Sequence, residues 1–397
     1  MNRSRKPKHT FAFGAVTLTI LVLMGVTGSP AGSAASTPSA VDLGTLGGTN
    51  SFAAAVSDNG QVVGFSLTAG DVAFHAFSWN RQGGMVDLGT LGGAESQAFA
   101  VNERGQVVGV GSTAGNTARH AFSWTKQGGM VDLGTLGGTL SSATAVNQGG
   151  QVVGISTTAG FLGLHAFSWT KQGGMVDLGT LGGTESQATA VNERGQVVGE
   201  STTVGDQAVH AFSWTKQGGM IDLGTLGGTT TQAFAVNDRG QVVGTGLIEG
   251  NQASHAFSWT KQGRMVDLGT LGGSQSGTGA VNDKGQVVGG SSLPGDGAIH
   301  AFSWTKQGGM IDLGTLGGSF GAAAAVNDGG QAVGVAALAG NSESHAFSWT
   351  KQGGMIDLGT FGGTESGAVA VNARGQVVGT SSTSGNAAFH AALWRTS

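Results

Sequence analysis

"HAFSWTKQGGMVDLGTLGG", His120–Gly138, decides the fold, because close copies of it recur down almost the whole 397-residue chain. Its histidine returns at His75, His120, His165, His210, His255, His300, His345 and His390, one every 45 residues with no insertion or deletion. The tryptophans keep the same step, at Trp79, Trp124, Trp169, Trp214, Trp259, Trp304, Trp349 and Trp394. So do the aspartates of "DLGT", at Asp42, Asp87, Asp132, Asp177, Asp222, Asp267, Asp312 and Asp357. A period of this size points to propeller blades or another repeat array. The frame is offset: an orphan "VDLGTLGG" stands at Val41–Gly48, and the last copy breaks off at "HAALWRTS".

Within a unit no window sustains a 3.6-residue apolar period, so helices are not expected. Four short runs read as strands: the Ala-rich "ATAV", then "QVVG", "HAFSW" and "MVDLGT", each bounded by Gly, Asn or other turn residues. The link "NERGQ", Asn192–Gln196, suits a type I turn closed by a residue at positive φ. Four antiparallel strands in 45 residues make one propeller blade. The expected fold is all-β, an eight-bladed β-propeller of four-stranded blades, with residues 41–397 as a single domain. If the order from axis to rim is "AVN", "QVVG", "HAFSW", "VDLGT", the last blade lacks its outer strand. Residues 41–46 supply it beside "HAALW", and the ring closes. Closure removes the raw ends of the array, which an open solenoid would keep. In "HAFSW" the alternation puts His, Phe and Trp on one face and Ala and Ser on the other, so large side chains of one blade meet small ones of the next.

The first 40 residues differ from the rest. Arg3, Arg5, Lys6 and Lys8 precede an apolar run, Phe11 to Val26, and then the small residues of "SPAGSAAS". That order reads as a secretory signal peptide over residues 1–35, with cleavage after Ala34 or Ala35 and a short linker at 36–40. The apolar run is short for a membrane span; an uncleaved anchor is the alternative. Loss of the leader removes four of 19 Lys/Arg and none of 23 Asp/Glu, leaving 15 against 23, a net charge of −8. Nucleic acid is not an expected partner for such a chain, and no transmembrane segment remains after cleavage. There is no cysteine, so stability rests on packing and hydrogen bonds. The 76 glycines recur in register with strand-like runs rather than at every third position, which argues against collagen or disorder.

The tripeptide "HAF", with "GQVVG" before it and "DLGTLGG" after, resembles the HAF-type bacterial extracellular repeat family. The match covers residues 41–397. The eighth copy departs with "HAA", His390–Ala392, and the seventh with "QAVG", Gln331–Gly334. The resemblance implies an extracellular repeat protein and no particular activity.

A residue placed identically in every blade usually solves a problem that every blade has, whereas catalysis needs one asymmetric cluster. The repeated His, Trp and Asp are therefore read as structural positions, and no catalytic residue is assigned. Together with Ser they look like the hydrogen-bonded tetrad of WD-type propellers. No HExxH, paired Cys or calcium-loop pattern is present, so no metal and no cofactor is expected. Glu200, which replaces a small or apolar residue after "QVVG", is the best single oddity and is expected on an exposed strand edge.

In an antiparallel meander alternate links emerge on opposite faces. The links after "DLGTLGG" and after "GQVVG" vary between copies; the "NERG" turns and "TKQGGM" links on the other face hardly change. The variable face carries Asp71, Glu95, Glu185, Asp206, Glu249, Asp296, Glu343 and Glu365 against a lone Arg119, a sum of −7, and is the candidate binding face. The constant face carries 13 basic residues, among them Lys126, Lys171, Lys216, Lys261, Lys306, Lys351, Arg194 and Arg239, against six acids, a sum of +7. The expected function is a secreted, non-catalytic binding or scaffold module at the cell surface or in the extracellular space. Its partner would be an extracellular protein or glycan, with an anionic cell-wall polymer on the positive face. The alternative is a secreted polysaccharide hydrolase or lyase with its site at the axis of the variable face.

Overall fold

Each unit folds for the same local reasons. In "DLGT" the aspartate ends its strand, because Asp132 Oδ1 accepts the N–H of Gly134 at 2.7 Å while Gly134 turns at φ +73°. That left-handed φ suits a residue without a Cβ. Leu133 between them drops into the core. In the opposite turn Asn147 Oδ1 accepts the N–H of Gln151 at 3.0 Å, and Gln151 Nε2 donates to Ser168 Oγ at 2.9 Å. These side-chain bonds satisfy turn N–H groups that no ladder reaches. "GQVVG" must end in glycine: a Cβ on Gly109 would lie 1.9 Å from the Gln97 carbonyl oxygen, where the neighbouring strand bulges between Ala98 and Ala100.

The computed structural model describes residues 39–395 apart from residue 162; the expected leader, residues 1–35, lies outside the described residues. The second repeat shows the pattern, with four antiparallel strands at Gly92–Val101, Val107–Thr113, Arg119–Thr125 and Gly129–Asp132. No α-helix occurs among the described residues, and six of the second-to-third links contain a single 3-10 turn, such as Ala114–Asn116. Single parallel bridges, such as Leu140↔Arg119, join the third strand of some repeats to the first strand of the next. The ladders thereby merge into four sheets of twelve, eight, eight and four strands.

Two expected boundaries move. The first strand begins at the glycine pair that ends "DLGTLGG", or at Ser276 in the sixth repeat, so the variable stretches "AESQ" and "TLSS" lie within it rather than in a loop. The N-terminal strand is Ser39–Asp42 rather than 41–46, and it starts inside the stretch expected as a linker. It runs antiparallel to the last strand, Phe389–Arg395, with Val41 opposite Leu393. Beyond it the Asp42 carboxylate turns the chain at Gly44, as in every other copy.

The core is divided among the junctions between repeats. Val63, Ala76 and Leu88 of the first repeat pack against Ala98, Val107 and Phe122 of the second, with Trp124 and Met130 at the edge. Phe122 thus meets Ala76, the large-against-small contact that the alternation in "HAFSW" requires. Leu43, Val378 and Ala391 meet Ala53, Val62 and Phe77 in the same way, joining the last repeat to the first. Polar bonds repeat the match: the Ser96 hydroxyl accepts the Ala76 N–H at 2.8 Å, and the Ser51 hydroxyl accepts the Ala391 N–H at 2.8 Å.

Candidate functional site

The eight histidines stand second in the third strands and the aspartates at or near the end of the fourth, so strand pairing brings them together. His120 Nδ1 lies 2.8 Å from Asp132 Oδ2, and six further repeats hold the same pair at 2.7 to 2.9 Å. His390 has no aspartate following it in the chain; its partner is Asp42, 2.7 Å away across the seam. A carboxylate can only accept, so Nδ1 carries the proton of this bond. The expected tetrad does not form. Ser123 of "HAFSW" instead takes the amide of Gln106, and Trp124 packs in the apolar junction.

His345 stands apart. It is the buried member of the set, its Nε2 has no hydrogen-bond partner, and Glu343 Oε2 lies 3.7 Å from it, within ion-pair distance. Burial raises the carboxyl of its partner Asp357, but the bonds from His345 and the Gly359 N–H outweigh this and hold it below its ordinary range. Glu365, beside Ser344 through a parallel bridge, also buries an unpartnered Oε2.

Among the residues of the candidate binding face, several have work inside the fold. Asp71, Asp206 and Asp296 sit at positive φ and clamp the N–H of Thr49, Thr184 and Ser274 at 2.7 to 2.8 Å. The backbone bonds from Thr184 and Ser274 hold the Asp206 and Asp296 carboxyls below their usual range. Asn takes the same place in four other repeats, as at Asn116, because both residues tolerate this backbone region. Arg119 lies 3.9 Å from Glu95. Burial, then the nearby Asp206 charge, push Glu185 upward. Glu249 is exposed in its 3-10 turn.

Glu200 is not on an exposed edge. It is 7 % exposed, facing Gln232 of the next repeat, and its Oε2 has no partner. Burial raises its carboxyl, and the bond from Gln232 opposes this only in part.

The constant face is not uniformly positive. All six of its acids gather in the first-to-second-strand turns, where each accepts a backbone N–H from the preceding repeat. Glu103 takes Asp58 N–H at 2.7 Å, Glu193 takes Gln148, Asp238 takes Glu193, Asp283 takes Asp238 and Asp328 takes Asp283. Asp58 takes Ala373 N–H at 2.7 Å, bridging the last repeat and the first. Beneath them the Asn residues form a parallel chain of bonds, each Nδ2 reaching the next Asn carbonyl, as Asn102 does to Asn147 at 3.0 Å. Asn372 reaches Ser57 O at 2.9 Å. Five of the six acids line one cavity of about 360 Å³ together with Val191, Val236, Val281, Val326 and Val371. The sequence offered a signal for this ring that went unread: Asn followed by Asp, Glu or Gln at one register in most copies.

No family model and no curated protein matches the chain. Among solved structures it is similar to the β-propeller domain of the Trilobed protease from Pyrococcus furiosus, described as having an open velcro topology. The TM-score is 0.50 at 10% identity, over 79% of this chain and 99% of that one. The fold is propeller-like. Oligogalacturonate lyase in complex with manganese gives a TM-score of 0.48 at 12% identity, over 91% of this chain and 94% of that one. At such identities the likeness is one of fold. No group of three or more His, Asp or Glu is placed to hold a metal ion among the described residues, and no helix there is long and apolar enough to cross a membrane.

Proposed function

We propose that the chain is an exported repeat protein of the HAF type, closed as an eight-bladed propeller, and that it works as a non-catalytic binding scaffold at the cell surface or in the extracellular space. One observation carries the reading: the His–Asp pair, the Ser-to-backbone bond and the Asn and acid bonds recur at the same positions from repeat to repeat. They also recur between the last repeat and the first. Equivalent groups at every junction hold blades together; a reaction needs unlike groups converging on one substrate. The test is incubation of the mature protein with a polysaccharide panel, alongside its recovery on envelope material from its own culture. Retention without new reducing or unsaturated sugar ends is expected. Steady release of such ends would overturn the scaffold reading.

The alternative, a hydrolase or lyase, draws on two features that the other repeats lack: His345 with Glu343 Oε2 3.7 Å away, and the buried, unpartnered Oε2 of Glu365. Under that reading, sugar-end release would be lost in Glu365→Gln while the protein stays folded.

A further inference from the structure

The six acids and thirteen bases of the constant face have different standing. Every acid is engaged by a neighbouring turn's N–H, so the ring of carboxylates stitches repeats together. Among the described residues none of the thirteen bases has a carboxylate within ion-pair distance, although six lie on the same face, and all thirteen are exposed. Arg81 and six lysines, Lys126 to Lys351, sit in the "TKQGG" links, one every 45 residues, beside the edge strands. Five of the six acids lie apart from them, around the cavity, and the first-to-second-strand turns that carry the acids also carry Arg104, Arg194, Arg239, Lys284 and Arg374. The face thus sets seven link cations, with Arg264 beside them, apart from turns in which six acids and five bases nearly balance.

Arg264 adds a second, independent observation. The other links have glycine at this place, with φ of +65° to +67° at Gly84, Gly129, Gly174, Gly219, Gly309 and Gly354; Arg264 takes +59°. A side chain in that region strains the backbone, and such strain gathers where function holds it. Here it adds one more cation to the links.

We infer that these link cations bind a flexible linear polyanion of the cell envelope, a chain of phosphodiester-linked polyol units, laid along the "TKQGG" links. The inference rests on the scaffold reading and names the partner of one of its faces. A flat anionic bilayer fits less well. It would lie over the nearly balanced turns as well as the link cations, and none of the exposed large apolar side chains lies in these links or in those turns to enter a membrane. A single strand can follow the cations and avoid the centre. Because the mature chain carries a net −8, attraction must come from the face rather than the whole molecule.

The test measures binding of the mature protein to purified poly(glycerol phosphate), to uncharged dextran, and to vesicles of one part phosphatidylglycerol to three parts phosphatidylcholine. Wild type is expected to bind the polymer, to ignore dextran, and to bind the vesicles at least tenfold more weakly. Log affinity should fall with log salt by about 0.7 for each phosphate engaged. A variant with Arg81→Gln and the six Lys→Gln changes should lose at least a hundredfold in affinity at 0.1 M salt and flatten the slope. The corresponding seven-position variant with arginine throughout should bind as wild type does. None of the seven side chains makes a hydrogen bond or ion pair to another described residue, so an unchanged melting curve and hydrodynamic radius show that the variants are intact. No polymer binding by wild type, a Gln variant within threefold of wild type, or vesicles bound as tightly as the polymer would each overturn the proposal. Those failures leave the scaffold reading standing, since retention would then use another face; release of polymer fragments would overturn the scaffold reading instead.

Discussion

Leu43→Ala tests whether the N-terminal segment belongs to the core of the last repeat. Leu43 is 4 % exposed and its counterpart in the middle of the array, Leu178, is 6 % exposed. Each donates its N–H to the third strand, Leu43 to Ala391 and Leu178 to Ala166, both at 2.9 Å. Each packs among equivalent Val, Ala and Phe residues of two repeats. Truncation of a buried leucine costs about 2–5 kcal/mol, from lost transfer energy and the cavity left behind. With an unfolding entropy of roughly 2.1 cal/mol/K per residue over roughly 350 ordered residues, that is a fall in Tm of about 3–7 °C. Thermal melts of Leu43→Ala and Leu178→Ala, followed by circular dichroism under one set of conditions, should give shifts within about 1.5 °C of each other. A Leu43→Ala shift below about 1 °C, with Leu178→Ala at full size, would mean that the segment frays from the array. The equivalence of the first-to-last junction with the others, on which the proposed ring closure rests, would then fail.

Glu200→Gln should stabilise the protein at neutral pH and change little near pH 4. The native carboxyl is raised above its ordinary 4.5, so its stabilising contribution is complete below that value and is lost as pH rises through the native value. Melts from pH 4 to pH 8 should show wild type declining relative to the variant; parallel curves would refute the burial argument. Arg264→Gly should raise stability by about 1 kcal/mol, a Tm gain of about 1–2 °C, by relieving a left-handed backbone. An unchanged or lower Tm would mean that the Arg264 side chain holds contacts that offset the strain.

The 45-residue step, the four strands and the spare "VDLGTLGG" at the front could be read directly, because each strand and turn is specified by contiguous residues. Asn, Asp and Gly at the turns carry their own hydrogen-bonding and φ preferences, and "HAFSW" alternates over its own length. The fate of Glu200 could not be read this way. Its alternation places it on one side of a strand, but the group it meets, Gln232, belongs to the next repeat. Nor could the charge on the constant face be resolved by adding up residues. Glu193 and Lys216 share that face, and only assembly of the repeats sends one to the carboxylate ring and leaves the other without a partner. For His390, by contrast, the offset frame already points to an aspartate 348 residues away. Sequence settles what each 45-residue piece does within itself, since backbone sterics and local hydrogen bonds act over a few residues. What lies against it is settled by packing between pieces, and there burial, pairing and the separation of charge are decided.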